Sequence, residues 1–64
     1  MSYAGEVLHK ILLETSSMVD YHKAQKEKAP TTSPAFTYHM GQEDAYKAQV
    51  QRLKEIRGEY DLDD

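Results

Sequence analysis

Two prolines near the middle of the chain, Pro30 and Pro34, divide this sequence into two segments with separate local patterns. Because a proline disfavours helical backbone in the residue before it, Pro30 predicts that any preceding helix ends at or before Ala29. The 64 residues include no cysteine and leave room for one small domain. The chain therefore has to fold as two short segments that pack on each other or on another molecule.

The first segment, residues 2–28, has the pattern of an amphipathic helix. Ser2 can cap its N-terminus, and Glu6 lies in the first turn, where the helix dipole favours an acid. Thr15 and His22 fall inside the apolar stripe, and we expect His22 to be buried and hydrogen-bonded to the connection; a ligand contact or a pH switch is the alternative. Spacings of three and four predict that this stripe contains Ala4, Val7, Leu8, Ile11, Leu12, Met18 and Val19.

For the rest of the chain, the sequence predicts an extended connection over residues 29–41 and a second, shorter helix over about residues 42–57. Pro34, with the hydroxyl residues before it, favours an extended chain. Glu43 and Lys47 have the spacing of a favourable i, i+4 pair. The buried stripe of the second helix is predicted to contain Ala45, Tyr46, Val50, Leu53, Ile56 and Tyr60.

The charge of the chain is concentrated at its C-terminal end. Residues 59–64 carry four acids and no base, and the whole chain has a formal charge of −3. Gly58 is a natural stop for the second helix. The sequence therefore predicts an all-α helical-hairpin domain over residues 1–58, followed by an acidic tail.

A single hairpin of this length leaves apolar groups uncovered. A chain this short buries only about 60% of the surface that its unfolded form exposes. Leu13 lies on the otherwise polar side of the first helix, and Tyr3 and Tyr21 share a flank. We therefore predict a homo-oligomeric helical bundle, with a dimer of four helices as the simplest case. Leu13 can alternatively be a scattered surface leucine.

Several classes of function are not expected. The longest apolar run, residues 11–13, is far below the ~20 residues that span a bilayer, so we predict a cytoplasmic protein without a membrane partner. The basic residues are few and interleaved with acids, which disfavours long nucleic acid. Glu6 and His9 have a di-iron spacing but point away from the stripe, so no metal or other cofactor is predicted. Ser16 and Ser17 have no local base, and we predict no enzymatic activity.

Cations and aromatic rings are the candidate ligand-binding groups. Lysines near the end of the first helix complement its dipole, or contact an anion together with arginines of the second helix. The rings that precede the second helix cap the helix pair, or sandwich a planar ligand. The candidate site consists of Lys23, Lys26, Tyr38, His39, Arg52 and Arg57.

The run Phe36-Thr37-Tyr38-His39, followed by Gln42 and Tyr46, resembles the opening of a helical-hairpin domain in small phage proteins that sequester immune nucleotide signals. These anti-CBASS and anti-Thoeris sponges bind cyclic oligonucleotides or cyclic ADP-ribose isomers between the subunits of a homo-oligomer. The resemblance covers about residues 36–46. Met40-Gly41 stands where the family usually has two prolines, and the family's next helix, with its Trp-Ala-Asn stretch, is missing.

These observations lead to one functional expectation and two alternatives. We expect a non-enzymatic, phage-type anti-defence sponge that holds an anionic nucleotide at subunit interfaces in the host cytoplasm. The first alternative is a protein-interaction module, a small inhibitor or adaptor that docks a host protein through the surface around Leu13 or through the acidic tail. The second alternative is a structural or assembly component.

Overall fold

The computed structural model of this protein describes residues 2–62 and shows a hairpin of two α-helices. Helix α1 runs over Tyr3–Lys28 and helix α2 over Pro34–Glu59, and each has 26 residues. Residues 29–33 join them, and the Cα atoms extend over 45 × 16 × 10 Å. The predicted all-α hairpin with a long first helix is confirmed. The two helices are, however, equal in length, so the prediction of a shorter second helix is wrong.

Helix α1 begins and ends as the sequence predicts. Ser2 has an extended backbone, and its Oγ accepts a hydrogen bond from the Gly5 N–H at 3.0 Å. At the other end Ala29 is again extended, and its N–H donates to the Lys26 carbonyl at 3.1 Å. A side-chain oxygen at the N-cap satisfies one of the backbone donors that the first turn leaves without a partner. Ser2 at the N-terminus and Pro30 after the C-terminus therefore fix the two ends of α1.

Helix α2 begins eight residues earlier than predicted. Ser33 is its N-cap, with Oγ accepting from the Phe36 N–H at 3.2 Å, and Pro34 occupies the first helical position. Proline is favoured there because its fixed φ suits the helix and its missing N–H has no intrahelical partner to lose. The expected extended connection over residues 29–41 is therefore wrong. Its second half, including Tyr38 and His39, is helical.

The C-terminal end of α2 lies at Glu59, two residues beyond the predicted end. Gly58 is inside the helix, and the left-handed residue that closes it is Asp61, with φ 55°. The Leu62 N–H donates to the Arg57 carbonyl at 2.9 Å, and the Asp61 N–H donates to the Gly58 carbonyl at 3.3 Å. This pair of bonds is a Schellman motif. Tyr60 to Leu62 of the predicted acidic tail thus cap the helix, and residues 63 and 64 lie outside the described part.

The interior of the hairpin is a narrow seam. The buried residues of α1 follow one another at intervals of three, four or seven and are Gly5, Leu8, Leu12, Thr15 and His22. Such a repeat keeps one side of a helix facing a partner helix along its whole length. Thr15 and His22 are buried, as predicted, and the Thr15 hydroxyl donates to the Ile11 carbonyl at 2.7 Å. Ala45 and Tyr60 are exposed, so their assignment to the buried stripe of α2 is wrong.

The two ends of the seam differ in chemistry. We call the end at residues 29–33 the loop end and the opposite end the open end. Leu8 and Leu12 are the buried apolar residues of the described chain, and both lie in the half nearer the open end. Toward the loop end the buried positions are His22 and Glu43. No helix within residues 2–62 is both long enough and apolar enough to cross a membrane.

Candidate functional site

Two histidines meet across the seam near the loop end. The Nδ1 atoms of His22 and His39 lie 2.8 Å apart, a hydrogen-bonding distance. His22 is 5% exposed and His39 is half-buried. The helix period brings them together, because His22 lies on the stripe of α1 and Pro34 starts α2 early enough to put His39 on a helix. The prediction that His22 is buried and hydrogen-bonded to a residue of the segment 29–41 is confirmed, although His39 lies in helix α2 and not in an extended connection.

Tyrosine rings surround this histidine pair. Tyr46 stacks on His22, with ring centroids 5.7 Å apart and planes 12° from parallel. Tyr21 and Tyr38 approach His39 edge-on, at centroid distances of 6.4 and 4.9 Å. Edge-to-face and offset stacked geometries are the favourable ones for aromatic rings. We call these five residues the aromatic cluster, and Tyr38, which is 58% exposed, is its most accessible ring.

A buried carboxylate lies one turn beyond His39. Glu43 is 1% exposed, and its Oε1 lies 2.6 Å from Lys26 Nζ while its Oε2 lies 3.0 Å from Lys47 Nζ. The hydrogen bond from Lys26, followed by the one from Lys47, lowers the pKa of Glu43, although burial opposes this shift. The hydrogen bond that Lys26 donates to Glu43 raises the pKa of Lys26. The predicted pairing of Glu43 with Lys47 is confirmed, and Lys26 joins it from the other helix.

The six predicted ligand-binding residues do not form one cluster within the hairpin. Lys23, Lys26, Tyr38 and His39 belong to the loop-end half, whereas Arg52 and Arg57 follow His39 by 13 and 18 residues along α2. At ~1.5 Å per residue this separation is about 20 Å or more. Lys26 forms an ion pair with Glu43, and His39 is hydrogen-bonded to His22.

Arg52 also forms ion pairs, with two acids of its own helix. Its Nη1 lies 3.0 Å from Glu59 Oε1 and 3.4 Å from Glu55 Oε2. The hydrogen bond and the charge of Glu59 raise the pKa of the guanidinium. All three side chains are about half exposed, so the network is solvated. An anion at Arg52 would have to compete with these two carboxylates.

One broad side of the hairpin carries two apolar grooves. The first, of about 350 Å³, is lined by Tyr3, Ala4, Val7, Leu8, Ile11 and Leu62. The second, of about 220 Å³, is lined by Ile11, Thr15, Gln49, Arg52 and Leu53. Both grooves include Ile11, so they form one continuous surface along the half nearer the open end. We call its apolar members, Tyr3, Ala4, Val7, Ile11, Leu53 and Leu62, the apolar face.

Several of the residues predicted to be buried lie on this face and are exposed in the single hairpin. Val7 is 39% and Ile11 40% exposed, and Ala4 is also exposed. The expectation that one hairpin cannot cover the wide stripe of α1 is confirmed. Leu13, at 58%, is exposed on the opposite, polar side.

The described residues include no group of three or more histidines and acids placed to hold a metal ion. Glu6 and His9 are both exposed on α1, outside the seam. No family model matches this chain, and neither a curated protein nor a solved structure is significantly similar to it. The resemblance of residues 36–46 to the phage sponges therefore stays a prediction.

Sequence reasoning missed the partnership of Lys26 with Glu43. Lys26 follows His22 by one turn and Glu43 follows His39 by one turn, but the helices are antiparallel, so these two steps lead in opposite directions along the hairpin. The contact forms because the side chains of each helix lean toward its own N-terminus, which brings Lys26 and Glu43 toward each other. The misplaced start of α2 concealed this relation, since His39 and Glu43 were then assigned to different elements.

Proposed function

We propose that this protein acts by binding, as a self-assembling interaction module whose apolar face takes a second copy of the same chain. The proposal rests on the continuous apolar face, which lies along one side of the hairpin, whereas Leu8 and Leu12 are the only buried apolar residues within residues 2–62. Two hairpins joined through this face form a four-helix bundle, in which Val7 and Ile11 become core residues.

The surface area of the hairpin supports a second copy as the occupant. Its accessible surface is 4611 Å², whereas a compact monomer of 7.4 kDa is expected to expose about 4,200 Å². The broad side measures 45 × 16 Å between Cα extremes, and the apolar face occupies the half of it nearer the open end. A standard stable interface buries about 800 Å² on each partner, so the contact between two copies extends beyond the apolar face along the broad side. A net charge of −3 imposes little repulsion between copies.

The experiment compares two aspartate substitutions on opposite sides of α1. We expect the wild-type protein to sediment as a dimer, Ile11→Asp as a monomer, and Leu13→Asp as a dimer. Ile11 belongs to both grooves, whereas Leu13 is on the polar side. Sedimentation velocity over about 5–500 µM, with helicity checked by circular dichroism, gives the answer. A wild-type monomer throughout this range contradicts the proposal. A dimer that is lost only in Leu13→Asp shows that the interface lies on the polar side of α1 and also contradicts it.

The aromatic cluster supports a second candidate function, the sequestration of an anionic nucleotide. Tyr38 offers an accessible ring beside His39, and Lys23 is exposed on α1 without an ion pair among the described residues. An aromatic face and nearby cations are what a nucleobase and its phosphate require. This function is the one that the resemblance of residues 36–46 implies, in a host cytoplasm.

A thermal-shift panel of cyclic dinucleotides, cyclic trinucleotides and cyclic ADP-ribose isomers tests this candidate. We expect one ligand class to raise the melting temperature of the wild type and to lose this effect in Tyr38→Ala. Tyr60→Ala is the matched control, because Tyr60 is an exposed tyrosine at the open end. A panel without any shift excludes these ligands, and an equal loss in both variants removes the cluster as the site.

A further inference from the structure

We infer that the hydrogen bond between His22 and His39 is a proton-controlled clasp, which holds the loop-end half of the hairpin closed at neutral pH and releases it in acid. The inference is independent of the proposed function, because it concerns contacts within one chain. It rests on the 2.8 Å separation of the two Nδ1 atoms and on the burial of His22.

The chemistry of the pair limits how many protons it can hold. In the neutral pair one ring donates its Nδ1–H, and the other accepts with the lone pair of its own Nδ1. The first added proton goes to the free Nε2 of the donor ring, and the resulting imidazolium keeps a charge-assisted N–H···N bond. The second proton must go to the accepting Nδ1. It removes the lone pair, ends the bond and leaves two cations in contact.

The surroundings do not compensate the second charge. The rings of Tyr21 from α1 and of Tyr38 and Tyr46 from α2 contact the pair. Lys26 follows His22 by one turn and Glu43 follows His39 by one turn, and these two side chains form an ion pair with each other. Glu43 is the one carboxylate among these groups, and it is already shared between Lys26 and Lys47. Double protonation therefore sets two imidazolium ions beside an occupied carboxylate in a buried seam.

Acid also acts selectively at this position. The pKa of Glu43 is lowered from 4.5, so the carboxylate stays ionised between pH 7.5 and 5.0 while imidazoles take up protons around pH 6.5 in water. The open-end half is held by Leu8 and Leu12, which do not titrate. Acid thus weakens one half of the seam and leaves the other unchanged.

The test is thermal unfolding at pH 7.5 and pH 5.0, at one protein concentration and with EDTA present. We expect the melting temperature of the wild type to fall by about 4–8 °C, a shift that corresponds to about 1 kcal/mol in a domain of this size. The melting temperature of His39→Asn should fall by less than half as much, because the asparagine amide can still bond His22 but does not titrate. His9→Asn, the same change at an exposed histidine, should behave as the wild type. Equal falls in the wild type and His39→Asn overturn the inference.

An NMR titration of the wild-type histidines provides a readout that needs no variant. We expect the ring signals of His22 and His39 to change together in two separate steps, the second at lower pH, because one proton is shared before the bond breaks. The ring of His9, which is exposed on α1, provides the reference signal. Independent single-step curves for His22 and His39 contradict a clasp, even where His39→Asn fails to fold.

Discussion

Glu43 shows how a single residue sets the chemistry of the seam. A carboxylate with 1% exposure has lost nearly all its water, and ammonium groups from both helices replace that hydration. Among the described residues, Lys26 is the only partner of Oε1. Removing one member of a buried ion pair leaves an uncompensated charge, whereas replacing both members by apolar groups is often neutral or stabilising.

A double-mutant cycle tests this asymmetry. We expect Lys26→Met and Glu43→Leu each to lower the midpoint of urea unfolding, since Lys26→Met leaves the Oε1 of Glu43 without a partner and Glu43→Leu leaves Lys26 without its carboxylate. The double variant should recover at least half of the summed loss, because a methionine beside a leucine needs no hydration. A double variant as unstable as the sum of the singles contradicts a direct interaction between the two side chains.

The pH dependence of this ion pair has a defined sign. The pKa of Glu43 is lowered from 4.5, so its contribution to stability is complete above pH 4.5 and is lost as the pH falls further. The pKa of Lys26 is raised from 10.5, so its contribution is complete below pH 10.5 and is lost at higher pH. We expect the wild type to be more stable than Glu43→Gln at pH 6, and the difference to disappear toward pH 2. Melting curves of both proteins measure it, and a constant difference rules out this role for the charge.

At the scale of the elements, the start of α2 decides what the loop end contains. Ser33 and Pro34 place the helix so that His39 and Glu43 face α1. Gly41 consequently lies in the interior of a helix, with negative φ and no atom within 4 Å of where a Cβ would stand. A glycine in such a position costs stability, because the unfolded chain loses more freedom on folding there.

Gly41→Ala is therefore expected to stabilise the protein by about 0.5–1 kcal/mol, or roughly 2–8 °C in melting temperature. Ser33→Ala is the opposing control and should cost about 1 kcal/mol through loss of the N-cap. Circular dichroism at 222 nm during heating measures both. If Gly41→Ala were destabilising, the helix would not continue through residue 41 as described.

The sequence was sufficient for α1 and insufficient for the beginning of α2. The cap at Ser2, the stripe through Leu8 and Leu12 and the stop before Pro30 are local signals, and all three were predicted. The pair Ser33-Pro34 is also a local helix-start signal, but a proline after a run of hydroxyl residues equally favours an extended chain, so the local pattern does not choose between the two. The contacts of His22 with His39 could not be predicted, because they depend on the alignment of two helices and thus on the length of the connection.

At the scale of the whole molecule, the hairpin has more apolar surface than it can bury. Its two buried apolar side chains contrast with exposed Tyr3, Val7, Ile11 and Tyr38. If self-association supplies the missing core, folding and assembly are linked, and the folded form becomes more stable as the protein concentration rises. We expect the melting temperature of the wild type to rise by several degrees between about 5 and 500 µM, and that of Ile11→Asp to stay constant. A wild-type midpoint that does not change with concentration contradicts this linkage.

The division of the seam into a leucine half and a charged half also restricts how the helices can align. A slip by one helical turn displaces α2 by about 5.4 Å, enough to part Glu43 from Lys26 and to leave the buried carboxylate with Lys47 as its single counterion. Leucine contacts alone tolerate such slippage, since any apolar neighbour serves almost equally well. The charged half therefore disfavours hairpins in which the two helices pair in another alignment. A chain with a small hydrophobic core thus has one defined fold, at some cost in total stability.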